Sequence, residues 1–396
     1  MTIRYTEDAI INEEVSRIID YIVNGVVQLF RPESIILSGS LGRGEATILG
    51  RNGKIEFLSD CEISPIAIKY VPKSKIDKLI LEIKERFGLD LDISGIKLSI
   101  YFLVPGLSRG IKPTIQNYDF KYGSKVIYGS DYLHKIPDFK PEDIPFWEGL
   151  RLMFNRMAEY LKYLPANGEP NSRSVFWLYK VVLACQDTIL LSVHRYDPSC
   201  QGRNLVFQEV FPKYFAEMNA ALPKFLPLTV EATTFKLTGG SNYYNCNDLQ
   251  SSVAEICDKV FRWAMKIETG MDFDSYVEFQ QHYLEGLRIK AGIRFIPSTL
   301  LQNAFSLMEI LLIKRSYISL KLMSKTLLPW KHTAYSMIPL IYFATTPEGH
   351  VHTSYLHRTR QVLSLFRDLD EQKSDPLAEY QYLKRETINL WYALCH

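Results

Sequence analysis

Residues 35–68 read IILSGSLGRGEATILGRNGKIEFLSDCEISPIAI, and the order of residue types in that stretch decides how the first third of the chain is read. Upstream, Glu13–Leu29 carries apolar residues at Val15, Ile18, Ile19, Ile22, Val26 and Leu29, a helical period that Pro32 ends. Ser34–Ser38 then forms a short apolar run that stops at Gly39-Ser40, the pattern of a buried strand entering a turn. A Gly-Ser turn at the end of a strand leaves backbone N–H groups and a hydroxyl open to an anion, with no Cβ in the way. Further on, Asp60 and Glu62 stand two apart in an extended segment and share a face. Paired carboxylates beside a phosphate-accepting turn are what a hard divalent cation carrying a triphosphate requires. Taken singly, each feature is a turn or a pair of solvated edge charges. Their order and spacing carry the functional reading.

Outward from this stretch, Ile55–Leu58 and Cys61–Ile68 read as further strand interrupted by polar residues. Ser74–Phe87 has the helical period and ends at Gly88. Lys97–Val104 (KLSIYFLV), β-branched and aromatic between Gly95 and Pro105, reads as a strand, and Lys125–Tyr128 as a short strand closed by Gly129. Strands alternating with helices predict an α/β (α+β) layer with a mixed sheet over residues 1–137. After the Pro-punctuated stretch 137–141 the character changes. Glu148–Leu164, Ser174–His194, Leu249–Glu268, Tyr276–Gly292, Leu300–Leu322 and Ser354–Asp368 all carry helical periodicity. Residues 138–396 are therefore expected to form a mainly helical substrate or partner region, with a further division near 200–250.

Composition bounds the classes open to the chain. It has 396 residues, 47% hydrophobic and 23% charged, the balance of an ordinary globular protein with a full core. Forty-six Lys and Arg against 44 Asp and Glu leave a formal charge of +2, so net charge does not indicate a nucleic-acid partner. The six cysteines are scattered without a CxxC pair, which argues against a zinc site or a disulfide framework. No signal peptide is visible, and the apolar runs Ser336–Thr345 and Ile310–Ile313 are short, so a cytoplasmic protein without a membrane partner is expected.

Gly39-Ser40 followed by Asp60-x-Glu62 on the next strand resembles the nucleotidyltransferase (polymerase-β-like) superfamily, in the flavour of aminoglycoside nucleotidyltransferase-like proteins. Glu45 in GRGEAT and Tyr128-Gly129 in KVIYG fit the same pattern, and the likeness extends over about residues 30 to 200. The resemblance implies an ATP- or other NTP-binding transferase that uses Mg²⁺, with Mn²⁺ as an alternative, to move a nucleotidyl group to a hydroxyl of an unidentified acceptor. It implies Asp60 and Glu62 as catalytic metal ligands, and Gly39 and Ser40 as phosphate-binding residues. Arg43, between two loop glycines, is expected to add positive charge near the triphosphate, and Lys180, in an otherwise apolar helix, to contact phosphate. Two other readings stand beside this one: a catalytically silent nucleotide-binding or regulatory protein, and an enzyme that nucleotidylates RNA or protein.

One departure from the family pattern matters. Members place a third carboxylate on a later strand, yet in KLSIYFLV the positions facing one way are Lys97, Ser99 and Tyr101. Asp92 in LDLDIS meets the need only if that strand begins earlier; otherwise a helical acid such as Glu148, Glu159 or Asp187 is required. Elsewhere, the Gly239–Tyr244 loop reads equally as a mobile lid or a connector, His350-Val351-His352 puts two imidazoles on one side of an extended segment without a Cys or acid to complete a metal set, and the basic spots Lys314-Arg315 and His357–Arg360 read as solvated helix faces.

Overall fold

The computed structural model describes all residues except 1–4, 6–8, 52–53, 95, 105, 166–170, 241–245, 293–294, 310–326, 347–348 and 396. In chain order the first elements are α1 (Ala9–Phe30), β1 (Ser34–Ser38), α2 (Gly39–Arg43), β2 (Ile48–Arg51), β3 (Lys54–Phe57), β4 (Cys61–Ile66), α3 (Lys73–Phe87), β5 (Leu91–Ile93), α4 (Ile96–Leu103), α5 (Ile115–Gly123) and β6 (Lys125–Gly129). They are followed by α6 (Trp147–Tyr163), α7 (Ser172–Ser192), α8 (Cys200–Tyr214), α9 (Ala216–Ala221), α10 (Phe225–Thr238), α11 (Cys246–Thr269), α12 (Tyr276–Ala291) and α13 (Phe295–Glu309). The last described helices are α14 (Trp330–Tyr342), α15 (Thr353–Leu363) and α16 (Pro376–Cys395). The class is α+β, a small mixed sheet followed by helices.

The chain divides into two compact units, one made of Met1–Glu148 with Ile189–Asn242, the other of Gly149–Thr188 with Tyr243–His396. Residues 189–242, which carry α8 to α10, thus belong with the sheet and not with the rest of the helical region.

In the first unit the sheet order is β5-β4-β1-β6, with β1 antiparallel to β4 and β6 and with β4 parallel to β5. The period-2 alternation sorts the two faces. Ile35, Leu37, Cys61, Ile63 and Leu91 pack into one apolar cluster with Val15, Ile18, Ile19, Ile22 and Val26 of α1 and Leu79 and Ile83 of α3. Each such side chain contributes roughly 1.5–3 kcal/mol when fully buried. Gly25 lets α3 approach α1, since a Cβ there would sit 2.9 Å from Leu79 Cδ1. With this face committed to the helices, Ser38, Glu62 and Asp92 fall on the other. β2 and β3 form a separate hairpin. That corrects the reading of Ile55–Leu58 as part of the Cys61 strand: Ser59-Asp60 breaks the two apart.

A second correction concerns Lys97–Val104, which is helical over Ile96–Leu103 and not a strand. Ser99 and Phe102 are buried while Ile100 is exposed, a three-residue spacing that alternation cannot produce. A short continuous apolar run does not distinguish strand from helix by periodicity. Tertiary bonding decides it here: Ser99 Oγ donates to Pro65 O at 3.3 Å and accepts from Ala67 N at 3.1 Å, seating the helix at the end of β4. The strand beside β4 is instead Leu91–Ile93.

The second unit is a helical assembly around large aromatic side chains. Trp330, Trp391, Phe154, Phe261, Tyr276, Phe279 and Tyr283 are all at most 2% exposed. Trp391 Nε1 donates to Asn155 Oδ1 at 3.2 Å, which satisfies the buried indole N–H. Among the described residues α7 alone is long and apolar enough to cross a membrane, and 89% of its apolar window is buried inside the protein, as in a core helix. The helices expected around Glu148, Ser174, Leu249, Tyr276 and Ser354 are present, with ends displaced by a few residues. Leu300–Leu322 is helical as far as Glu309, beyond which it lies outside the described residues, as do Lys314-Arg315 and the centre of the Gly239–Tyr244 loop.

His332 on α14 supplies a stability prediction for this unit. Its Nδ1 lies 3.1 Å from Tyr283 Oη, and burial, with a smaller contribution from Lys331, pushes its pKa down to about 4. The unfolded chain therefore binds a proton near pH 6.5 that the folded chain refuses until about pH 4. The stabilisation is complete above pH 6.5 and is lost as pH falls across this window. Urea midpoints at pH 7.5, 5.5 and 4.5 should fall more steeply for the wild type than for His332→Gln; parallel pH profiles would refute the assignment.

Candidate active site at the β1, β4 and β5 edge

The antiparallel register sets Ser38 opposite Glu62, and the parallel register sets Glu62 beside Asp92. Directly paired residues project to the same side of a sheet, so Ser38, Glu62 and Asp92 form one row across three strands. Asp60 precedes β4 by one residue and is exposed, and the adjoining Cys61 N–H donates to Asp90 O at 2.8 Å. This bond ties the start of β4 to the residue before β5. Glu62 and Asp92 thus lie side by side on a parallel strand pair, with Asp60 one residue ahead of β4.

Their combined field is felt at Cys61, which points into the opposite, apolar face. Burial pushes this thiol well above its ordinary pKa, and the negative charges of Asp60, Glu62 and Asp92 push it further. Cys61 is fully buried in the helix-backed core, so it is a reporter of the charge and not a nucleophile.

The glycine turn closes directly over this row. Gly39 has φ +65°, and a Cβ built on it would lie 2.6 Å from Glu62 Oε1. Ser38 Oγ donates to Glu62 Oε2 at 3.3 Å. A side chain at position 39 would therefore occupy the space that the Glu62 carboxylate uses. Ser40 is buried in α2, and its carbonyl accepts the Glu45 N–H at 2.8 Å. Gly42 allows α2 to pack against the end of β1, because a Cβ there would be 2.5 Å from Leu37 O. The donor set around Glu62 consists of hard carboxylate oxygens, which suits Mg²⁺ or Mn²⁺ over softer metals. Among the described residues no group of three His, Cys, Asp or Glu side chains is placed to hold a metal ion by itself.

The other expected site residues have surroundings of their own. The Arg43 guanidinium is largely buried, with Nε 3.2 Å from Glu45 Oε2 and Nη1 3.6 Å from Asp119 Oδ2. Its aliphatic stem lies on Gly123, where a Cβ would approach Arg43 Cγ to 2.7 Å. Lys180 belongs to the other unit, where its ammonium stands 4.5 Å from the Phe176 ring centre and 4.2 Å from that of Trp177. Of the helical acids, Glu159 and Asp187 are also in that unit. Glu148 accepts the Ile115 N–H at 3.1 Å and so caps α5.

Asp92 is the residue whose place sequence reading held open without filling. Its signal was the alternation Leu89-Asp90-Leu91-Asp92-Ile93 directly after the helix-ending Gly88, outweighed by the longer apolar run that follows. Ser38 carried no separate signal, because only strand register brings it to Glu62. No family model matches the chain, and no curated protein or solved structure matches it either.

Proposed function

We propose that the protein is a Mg²⁺-dependent nucleotidyltransferase that moves a nucleoside monophosphate from an NTP to a hydroxyl acceptor. One observation carries the reading: Asp92 stands beside Glu62 on a parallel strand, with the Gly39 turn packed over Glu62. A glycine turn and two acids on neighbouring strands are thereby brought together, with Asp60 one residue ahead of β4. Glu62 and Asp92, with Asp60 just ahead of β4, are the residues that would hold the metal alongside the phosphate oxygens; when bound it would neutralise phosphate charge and polarise the α-phosphoryl group.

The chain's own residues supply the rest. The Gly39-Ser40 turn, with no Cβ at position 39 to crowd Glu62, would bind the departing phosphates. Ser38 holds Glu62 by its hydroxyl. The acceptor oxygen bonds to the α-phosphorus as the bond to the bridging oxygen breaks and pyrophosphate leaves. The hydroxyl proton passes to a carboxylate, for which Asp92, exposed on the edge strand, is the assigned base. This arrangement favours turnover over silent nucleotide binding, because a binding protein has no need of a third acid.

The test is incubation with each α-³²P-labelled NTP, Mg²⁺ or Mn²⁺, and a cell extract fractionated into small molecules, RNA and protein. Label appearing in one fraction, with equimolar pyrophosphate, is the expected result. Stoichiometric NTP binding without pyrophosphate release would reduce the protein to a nucleotide binder, and neither binding nor release would remove the reading.

A further inference from the structure

The Gly39–Arg43 helix is held from behind by a group of buried charges that the proposed reaction does not use. Glu45, 7% exposed, is at its centre. Its N–H donates to Ser40 O at 2.8 Å, on the backbone of the residue expected to contact phosphate. Its Oε1 accepts from Ser199 Oγ and from Cys200 N, both at 2.9 Å, and its Oε2 accepts from Arg43 Nε at 3.2 Å. Ser199 is the N-cap of α8 and also accepts the Gly202 N–H at 3.1 Å.

Arg43 continues the network to Asp119, whose carboxylate accepts from Tyr196 Oη at 3.2 Å. Arg203 Nη1 donates to Tyr196 Oη at 3.2 Å and to Asp197 O at 2.7 Å. Lys236 of α10 is buried nearby, and its carbonyl accepts from Thr47 Oγ1 at 2.7 Å. Burial alone would raise the Glu45 carboxyl, but Arg43, Lys236, the Cys200 N–H and Arg203 outweigh it and hold it below the ordinary carboxylate range. Asp119 is raised by burial in spite of Arg43 and Arg203, so Glu45 is the more firmly ionised of the two acids.

We infer that Glu45 is a positioning residue: it clamps the Gly39-Ser40 turn to the N-terminus of α8 and so sets the turn's geometry for the triphosphate. The functional half of this inference rests on the nucleotidyltransferase reading; the mechanical half does not. A carboxylate at a helix N-terminus gains from unsatisfied N–H groups and from the helix dipole. Here that gain is transmitted through one residue to the backbone of Ser40. It also explains why residues 189–242 group with the sheet: α8 is the abutment against which the turn is fixed.

Glu45→Ala and Glu45→Gln in the full-length protein test it, with Ser199→Ala removing one bond only. Hydrogen exchange is followed over residues 39–46 and 199–204, and KM and kcat are measured for the NTP that the wild type uses. In Glu45→Ala, exchange should rise in both segments together, and KM should rise roughly tenfold, the scale of losing one charge-assisted hydrogen bond, with a smaller change in kcat. Glu45→Gln, whose carbonyl still accepts from Ser199 and Cys200, should fall between the alanine variant and wild type. If the alanine variant fails to fold, Glu45→Gln and Ser199→Ala carry the same comparison. Exchange that rises over 199–204 while 39–46 stays at the wild-type level overturns the clamp, as does an unchanged KM. If the wild type neither binds nor uses any NTP, the nucleotidyltransferase reading fails alone, and the exchange data still decide the clamp.

Discussion

Glu62→Gln and Asp92→Asn should each reduce nucleotidyl transfer by at least ~10²-fold, the scale for groups that act directly on transition-state charge, while leaving the protein folded. The two effects have one cause. Glu62 and Asp92 sit side by side in register on strands that run ~4.8 Å apart. At about 5 Å two like charges repel by about 1–3 kcal/mol, depending on how much solvent screens them. Neutralising either acid relieves that repulsion, and in Glu62→Gln the amide oxygen can still accept the Ser38 hydroxyl. Thermal melting with and without ~10 mM Mg²⁺ separates the cases, a concentration roughly tenfold above the ~1 mM affinity of weak protein cation sites. The cation should raise the wild-type midpoint and leave both variants unmoved. A large fall in stability in either variant, or wild-type transfer rates, would show that these carboxylates are structural.

Gly39→Ala should damage the site well beyond a glycine substitution elsewhere with the same backbone conformation. The residue has φ +65°, a conformation that costs an L-residue about 1–3 kcal/mol when enforced. The added Cβ would also meet Glu62 Oε1 at 2.6 Å, so the carboxylate must shift. Gly88→Ala is the matched control, with φ +68° and no atom within 4 Å of the added Cβ. It suffers the backbone strain alone. Both variants should lose stability in urea titrations, and only Gly39→Ala should lose transfer and Mg²⁺-dependent stabilisation. Equal behaviour of the two would mean that the turn does not shape the carboxylate.

The parts of the fold that were legible share a property: their signal is local and long. The α1 stripe Val15, Ile18, Ile19, Ile22 and Val26 repeats over several turns, and every one of these residues is in the core. The SIILS run before Gly39-Ser40 is all buried, and Glu62 lies across from Ser38 at its end. Short elements fared differently. LDI and KLSIYFLV compete for the place beside β4, and their composition favours the wrong one. The shorter run takes the place through pairing, while the longer one is held as a helix by Ser99 bonding to the end of β4. Arg43 illustrates the same limit for charge. Its loop position between two glycines suggested positive charge near the triphosphate, whereas in the fold Glu45 and Asp119 engage it in buried ion pairs, and Asp119 is brought in from α5.

The sequence by itself therefore determined the α+β class, the glycine turn after the first strand and the Asp60-x-Glu62 pair, since each rests on neighbours within a few residues. Tertiary structure alone decided that Asp92 completes the row of acids, that the following apolar run is helical, and that residues 189–242 return to the sheet to brace the turn. The physical reason is that strand register and buried ion pairing join residues far apart in the chain, as Glu45 and Ser199 are, and neither leaves a periodic trace in the order of amino acids.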